Sequence, residues 1–130
     1  MNREFAPYAP SLYLIELGFD EPCFGYYLCK NSAFGVELEL TTNWIDLLPY
    51  DSSSCKAPLY QQAFRWFREK YNLDSFVKHL YKSTIKVGYY FGIDQYKGVE
   101  FQMDFDAWYK TYEEAELACL IKLIEIVKNK

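Results

Sequence analysis

Ile85-Lys86-Val87-Gly88-Tyr89-Tyr90-Phe91-Gly92-Ile93-Asp94 is the stretch that decides the fold. Ile85, Val87, Tyr89, Phe91 and Ile93 alternate with Lys86, Gly88, Tyr90, Gly92 and Asp94. That period of two is the mark of a half-buried strand. The alternation returns at Val99, Phe101, Met103 and Phe105 against Glu100, Gln102 and Asp104. Gln95 to Gly98 lies between the two runs and has the length of a hairpin turn. Together they predict an antiparallel hairpin with one face buried. Phe76 to Tyr81 reads as a further short strand just upstream.

The hydrophobic period is helical on both sides of these strands. Upstream, Leu59, Ala63, Trp66 and Phe67 share one face, with Tyr60, Phe64 and Tyr71 beside it. Gln61, Arg65, Arg68 and Glu69 fall mostly on the other side. Pro58 suits the first position of that helix, and Asn72 suits its C-terminal stop. Downstream, Thr111 and Glu114 form a T-x-x-E capping box ahead of the apolar-rich run Leu117 to Val127. Glu113, Glu114 and Glu116 put negative charge where the helix dipole is positive. Residues 58–128 therefore predict the order α-β-β-β-α, with both helices on one face of an antiparallel sheet.

The N-terminal part predicts a helix and a second hairpin. Ser11 is a candidate cap for Leu12 to Leu17, and Gly18 is a candidate left-handed stop. Cys23 to Lys30 and Ala33 to Thr41 flank a polar Asn31-Ser32 turn; Val36, Leu38 and Leu40 alternate with Glu37, Glu39 and Thr41. Thr42 to Lys56 mixes apolar residues with loop chemistry at Pro49 to Ser54. The reading is a single α+β domain over 1–130. Residues 1–56 form a helix-and-hairpin extension, and 57–130 form the α-β-β-β-α core.

Composition narrows the function. The chain has 130 residues, one fifth of them aromatic, and a net charge of −4. A nucleic-acid-binding domain usually carries a basic excess, which is missing overall. No apolar run approaches the roughly 18 residues of a membrane span. Met1-Asn2-Arg3-Glu4-Phe5 lacks the pattern of a signal peptide, so a cytoplasmic location is expected. Cys23, Cys29, Cys55 and Cys119 form no C-x-x-C pair. Cys23 and Cys29 in one extended strand lie about 20 Å apart, too far for a disulfide. Reduced structural thiols are expected, with no metal and no cofactor.

Catalytic chemistry finds little footing. His79 is the single histidine, and a lone histidine on a short strand is more often a structural or surface residue than a catalytic base. No phosphate-cradling glycine motif appears, and Gly88 and Gly92 read as bulges or close packing against an aromatic. No catalytic residue is assigned.

The α-β-β-β-α order resembles the double-stranded-RNA-binding domain, with Ala115 and Ala118 as small residues near the start of the last helix. That family places lysines at this helix start to grip phosphates. This chain has Glu113-Glu114-Ala115-Glu116, which repels a phosphate backbone. The resemblance therefore implies the topology without the activity. A second resemblance rests on the stretch Glu16-Leu17-Gly18-Phe19-Asp20-Glu21-Pro22-Cys23-Phe24-Gly25-Tyr26-Tyr27. It rests also on Ala57-Pro58-Leu59-Tyr60-Gln61-Gln62-Ala63-Phe64-Arg65-Trp66-Phe67-Arg68-Glu69-Lys70-Tyr71 and Tyr112-Glu113-Glu114-Ala115-Glu116. These resemble a family of small hypothetical proteins of gut bacteria, their bacteriophages and mobile elements. That resemblance implies an accessory protein and no named site.

The candidate interaction surface is Tyr90, Leu117, Ile121 and Ile124. By parity Tyr90 points away from the hairpin's buried face; stacking on a nucleobase, packing under the N-terminal hairpin and lying in an interface stay open for it. The main apolar arc of the last helix is Ala115, Cys119, Leu120, Leu123, Ile126 and Val127. Leu117, Ile121 and Ile124 form a second stripe that a helix packed on one face does not need. Either the N-terminal segment covers it or a second copy does. The expected function is a non-enzymatic protein-interaction module, with an unknown protein or the chain itself as partner in a homodimer. A nucleic-acid-associated accessory protein using Arg65, Arg68, Lys70, Lys78 and Lys82 is the alternative, though nucleic acid is not the favoured partner. An enzyme of unknown type stands third.

Overall fold

A computed structural model describes residues 2–29, 36–45, 54–95, 102–103 and 108–129. It is an α+β fold with three α-helices and two antiparallel sheets. The chain divides into two compact units, Met1–Ala63 and Phe64–Lys130.

The N-terminal unit contains α1 (Tyr8–Glu16) and the strands β1 (Cys23–Cys29), β2 (Val36–Ile45) and β3 (Ser54–Ala57), in sheet order β2-β1-β3. Helix α1 starts a turn earlier than Ser11 suggests. Pro7 stands at the N-cap, and Ser11 is buried within the helix with its hydroxyl donating to the Ala6 carbonyl at 3.1 Å. The stop is as expected. Gly18 takes φ 101°, its amide donates to Ile15, and the Phe19 amide donates to Leu14. This is a Schellman closure, and Phe19 and Leu14 are both buried beside it. The stretch read as loop chemistry ends in a real strand: β3 pairs along β1 from Gly25↔Ala57 to Leu28↔Ser54. Its alternation is too short to stand out in sequence, and pairing to β1 supplies what propensity does not. The Asn31-Ser32 turn lies outside the described residues.

Helix α2 (Tyr60–Tyr71) crosses from one unit into the other. It begins two residues after Pro58, because Pro58 and Leu59 stay extended: the Ala6 amide donates to Pro58 at 2.8 Å, and Phe5 bridges Leu59. Its buried side holds Tyr60, Gln62, Ala63, Phe64, Trp66 and Phe67; Gln61, Arg65, Arg68 and Glu69 are exposed. Trp66 meets Phe67 and Tyr71 edge-on, an aromatic cluster at the helix's end. Asn72 takes φ 57° and closes the helix.

In the C-terminal unit, β4 (Leu73–Lys82), β5 (Ile85–Gln95) and β6 (Gln102–Met103) form a sheet in that order, followed by α3 (Tyr112–Lys128). The α-β-β-β-α order is thus present. Strand β4 is longer than the stretch Phe76 to Tyr81, starting straight after Asn72 and running to the turn. Of the stretch Val99 to Phe105, only Gln102 and Met103 are described, paired to Ile93 and Gly92. The Gln95-to-Gly98 turn lies outside the described residues beyond Gln95. Residue Tyr109 continues the same edge, exchanging both backbone hydrogen bonds with Tyr89 at 2.8 and 2.9 Å.

Helix α3 packs on β4 and β5. Ala115, Cys119, Leu120 and Leu123 are buried on it, facing a sheet whose Leu73 and Ile93 are also buried. The Thr111 hydroxyl accepts from the Glu114 amide at 3.1 Å, as the capping box requires. Its second half is shifted: the Glu114 carboxylate accepts from the Lys110 amide at 3.2 Å, one residue before the cap.

Candidate interaction surface

The β4–β5 hairpin carries the two most exposed large apolar side chains among the described residues. Its strands pair from Leu73↔Gln95 to Lys82↔Ile85, with an irregularity between Leu80 and Tyr81. Such a bulge bends and twists a strand pair. A two-residue connection, Ser83-Thr84, closes the end, and Ser83 takes φ 60°. A non-glycine residue there is strained.

The two faces of the hairpin differ. On the face toward α3, Tyr89 meets Tyr112 edge-on at 5.7 Å, and Phe91 stacks on Tyr109 at 6.1 Å. The Cys119 thiol bonds to Ser75 on the same face. On the opposite face, two rings lie against glycines. A Cβ at Gly92 would strike the Phe76 ring, and one at Gly88 would lie 2.7 Å from the Trp108 ring. That close approach is why glycine stands at both positions inside a strand. Tyr90 meets Phe76 edge-on at 6.1 Å, half-buried, and the Lys78 ammonium sits 4.7 Å above the Phe76 ring.

Beyond the reach of this packing, the hairpin end is open. Every residue from Tyr81 to Lys86 is exposed. Ile85 is 68% exposed and Tyr81 55%, the two most exposed large apolar side chains among the described residues. The register sets Ile85 across from Lys82 on one face and Tyr81 across from Lys86 on the other, while the Lys78 ammonium lies back over the Phe76 ring. The Lys86 ammonium lies 2.8 Å from the Tyr89 hydroxyl and 4.5 Å from its ring centre. From Ser75 to Ile93 there is no acidic residue, so this segment's three lysines stand against a remainder at −7 in a chain of −4. The hairpin end is therefore cationic, with two large apolar side chains in water.

The sequence-derived surface residues fare differently. Tyr90 is on the ring-and-glycine face as parity required. Ile121 is 43% exposed and Leu117 is half-buried. Ile124 is buried, because the packed arc of α3 is broader than the sequence reading and also takes in Glu116. With Glu116 turned inward, the helix start does not present three outward carboxylates. Tyr81 and Ile85 were missed as surface residues, since Ile85 fits the alternation of the buried face. The available signal was the lysine at every fourth position, Lys78, Lys82 and Lys86, which marks where the strands leave the core.

His79 is exposed and lies against Tyr89 at 4.8 Å and Tyr81 at 6.1 Å. Cys23, Cys55 and Cys119 are buried, and the Cys23 and Cys55 thiols donate to the Glu21 and Lys56 carbonyls. Burial pushes the Cys119 thiol up to about 12, with Glu116 adding to the rise and the Ser75 hydrogen bond opposing it. A thiol that resists ionisation is a poor nucleophile. Burial, with Cys55 nearby, likewise raises the Tyr27 phenol to about 12. Among the described residues, no group of three or more His, Cys, Asp or Glu side chains forms a metal site, and no helix is long and apolar enough to cross a membrane.

No family model matches the chain, and no curated protein or solved structure does either.

Proposed function

We propose that this protein is a non-enzymatic protein-interaction module that holds its partner with the end of the β4–β5 hairpin. The observation that carries the reading is the exposure of Ile85 and Tyr81 at the turn end of the hairpin, each across from a lysine, Lys82 and Lys86. Large apolar side chains left in water add little to a core, and apolar groups bordered by polar ones are common in binding surfaces. The fitting partner surface is apolar and acidic. The reading assigns the protein to the cytoplasm, where the thiols of Cys23, Cys55 and Cys119 stay reduced. The family resemblance in the sequence supports an accessory role in a phage or mobile element of gut bacteria. The test compares proteins captured from the native cell by the wild-type chain and by Tyr81→Ser/Ile85→Ser. Loss of a specific partner in the folded variant supports the reading; an unchanged set of partners overturns it.

A second reading is a single-stranded nucleic-acid accessory. It draws on Lys78, Lys82 and the Trp108 ring, which is 47% exposed over Gly88. Rings and lysines on one face suit base stacking and phosphate contact. Two of the other cations are engaged elsewhere: Arg68 lies 3.9 Å from Asp74, and Lys70 lies over Trp66. Oligonucleotide binding that weakens steeply with salt would favour this reading.

A further inference from the structure

We propose that the outer edge of β4 pairs with the same edge in a second copy of this chain, antiparallel and two-fold, so that the two C-terminal sheets join into one. This goes beyond the hairpin-end reading and does not depend on it. Strand β4 closes the sheet order β4-β5-β6, and among the described residues no strand lies on its other side. The register tells which way its backbone groups point. Tyr89 exchanges both backbone hydrogen bonds with Tyr109, so its N–H and C=O turn away from β4. His79 stands across from Tyr89, and Val77 and Ser75 follow at the same parity. In an antiparallel pair, residues so placed turn their own N–H and C=O outward. The edge therefore presents the backbone groups of Ser75, Val77 and His79. Proteins commonly blunt an edge by keeping it short, or with a proline or a bulge. Strand β4 has ten residues and no proline, and its pairing is regular from Leu73 to Leu80.

The side chains select a second copy as the occupant. Outward residues must face outward residues, which restricts the registers to steps of two. One of these centres the two-fold axis on Phe76. Ser75 then bonds to the partner's Val77, and Leu73 to the partner's His79, each pair in both directions. Between them, Asp74 lies directly across from the partner's Lys78, twice by symmetry, and Phe76 across from the partner's Phe76. Sliding by two residues either way leaves Asp74 facing the partner's Leu80 or the partner's Phe76. Sliding by four toward the turn sets Lys78 against the partner's Lys78. A lysine on an edge ordinarily deters pairing; here one register gives it an acid. Neither charge is held fast. Asp74 lies 3.9 Å from Arg68 with both side chains more than half exposed. Lys78 is exposed, with its ammonium over its own Phe76 ring at 4.7 Å, a weak contact at such a site. An interface this narrow makes a weak dimer.

Sedimentation equilibrium of the full chain over a concentration series tests this. The mass should rise from 15.5 kDa toward twice that value. Val77→Pro removes an outward N–H that β5 does not use, so it should keep the wild-type circular dichroism spectrum and stay monomeric. Charge variants test the register without touching the backbone. Asp74→Lys and Lys78→Asp should each weaken the dimer roughly tenfold or more, because like charges then meet twice. Asp74→Lys/Lys78→Asp should restore it. Tyr81→Ser/Ile85→Ser should leave it unchanged, since both residues lie outside the paired segment, so this proposal and the hairpin-end reading fail separately. A wild-type chain that stays at 15.5 kDa throughout overturns the proposal and leaves the edge to an extended segment of another protein. A dimer that a folded Val77→Pro chain keeps, that the double charge variant fails to restore, or that Tyr81→Ser/Ile85→Ser abolishes, overturns it as well.

Discussion

Tyr27 and Tyr81 both sit on strands of antiparallel pairs, yet their surroundings are opposite. Tyr27 is buried in a cluster with Phe5, Cys55 and Ala57, packed by Tyr8, Ile15, Leu38 and Leu59. Its hydroxyl donates to the Ala6 carbonyl, and Tyr8 meets its ring edge-on at 5.7 Å. Tyr81 is mostly exposed, near the turn that joins β4 to β5. Burial of the first kind stabilises the fold, because apolar area leaves water and the polar tip finds a partner. Exposure of the second kind stabilises nothing within the chain. The difference separates what builds this molecule from what it presents to others.

The closed regions should break under substitution and the open one should not. Leu120 is fully buried on the sheet-facing side of α3, so Leu120→Ala should cost about 2–5 kcal/mol, read as a lowered midpoint in urea unfolding. Gly92 is closed by the Phe76 ring, so Gly92→Ala must displace that ring, at about 1–3 kcal/mol. A smaller effect appears with pH. The Cys119 thiol ionises near its ordinary value of 9.0 when unfolded and near 12 when folded. The unfolded chain therefore loses the proton first, and stability falls as pH rises above 9. The loss reaches roughly 1 kcal/mol by pH 10. Cys119→Ala should flatten that slope relative to wild type in unfolding measured from pH 8 to pH 10. A slope that is unchanged in the variant would assign the effect elsewhere. The smallest effect is at the hairpin end: Tyr81→Ser/Ile85→Ser should shift stability by no more than about 0.5 kcal/mol. A loss of several kcal/mol there would mean these side chains belong to the fold.

The order of the C-terminal elements was legible because each signal was local. Period two at Ile85 to Asp94 gave β5, Thr111 and Glu114 gave the start of α3, and Asn72 and Gly18 gave two helix stops. Strand β3 was not legible, because four residues carry too little alternation and its pairing partner is thirty residues away. The start of α1 was hidden for a related reason: Ser11 has a capping side chain, but tertiary contact with Ala6 uses its hydroxyl inside the helix. The candidate surface was only partly legible. Parity fixes which face Tyr90 takes, but no periodicity tells where along a strand the core ends. Ile85 therefore looked buried, and Ile124, at the edge of the α3 arc, looked free.

The claim that the hairpin end is a binding surface is tested most directly by photo-crosslinking from within it. A benzophenone amino acid at position 85, in the chain expressed in its native cell, reports what lies against that end. The same group at Glu69, exposed on α2, serves as the control. The account predicts a discrete light-dependent adduct from position 85 that is absent from position 69. Identical adduct patterns from the two positions, or no adduct from position 85, would contradict it.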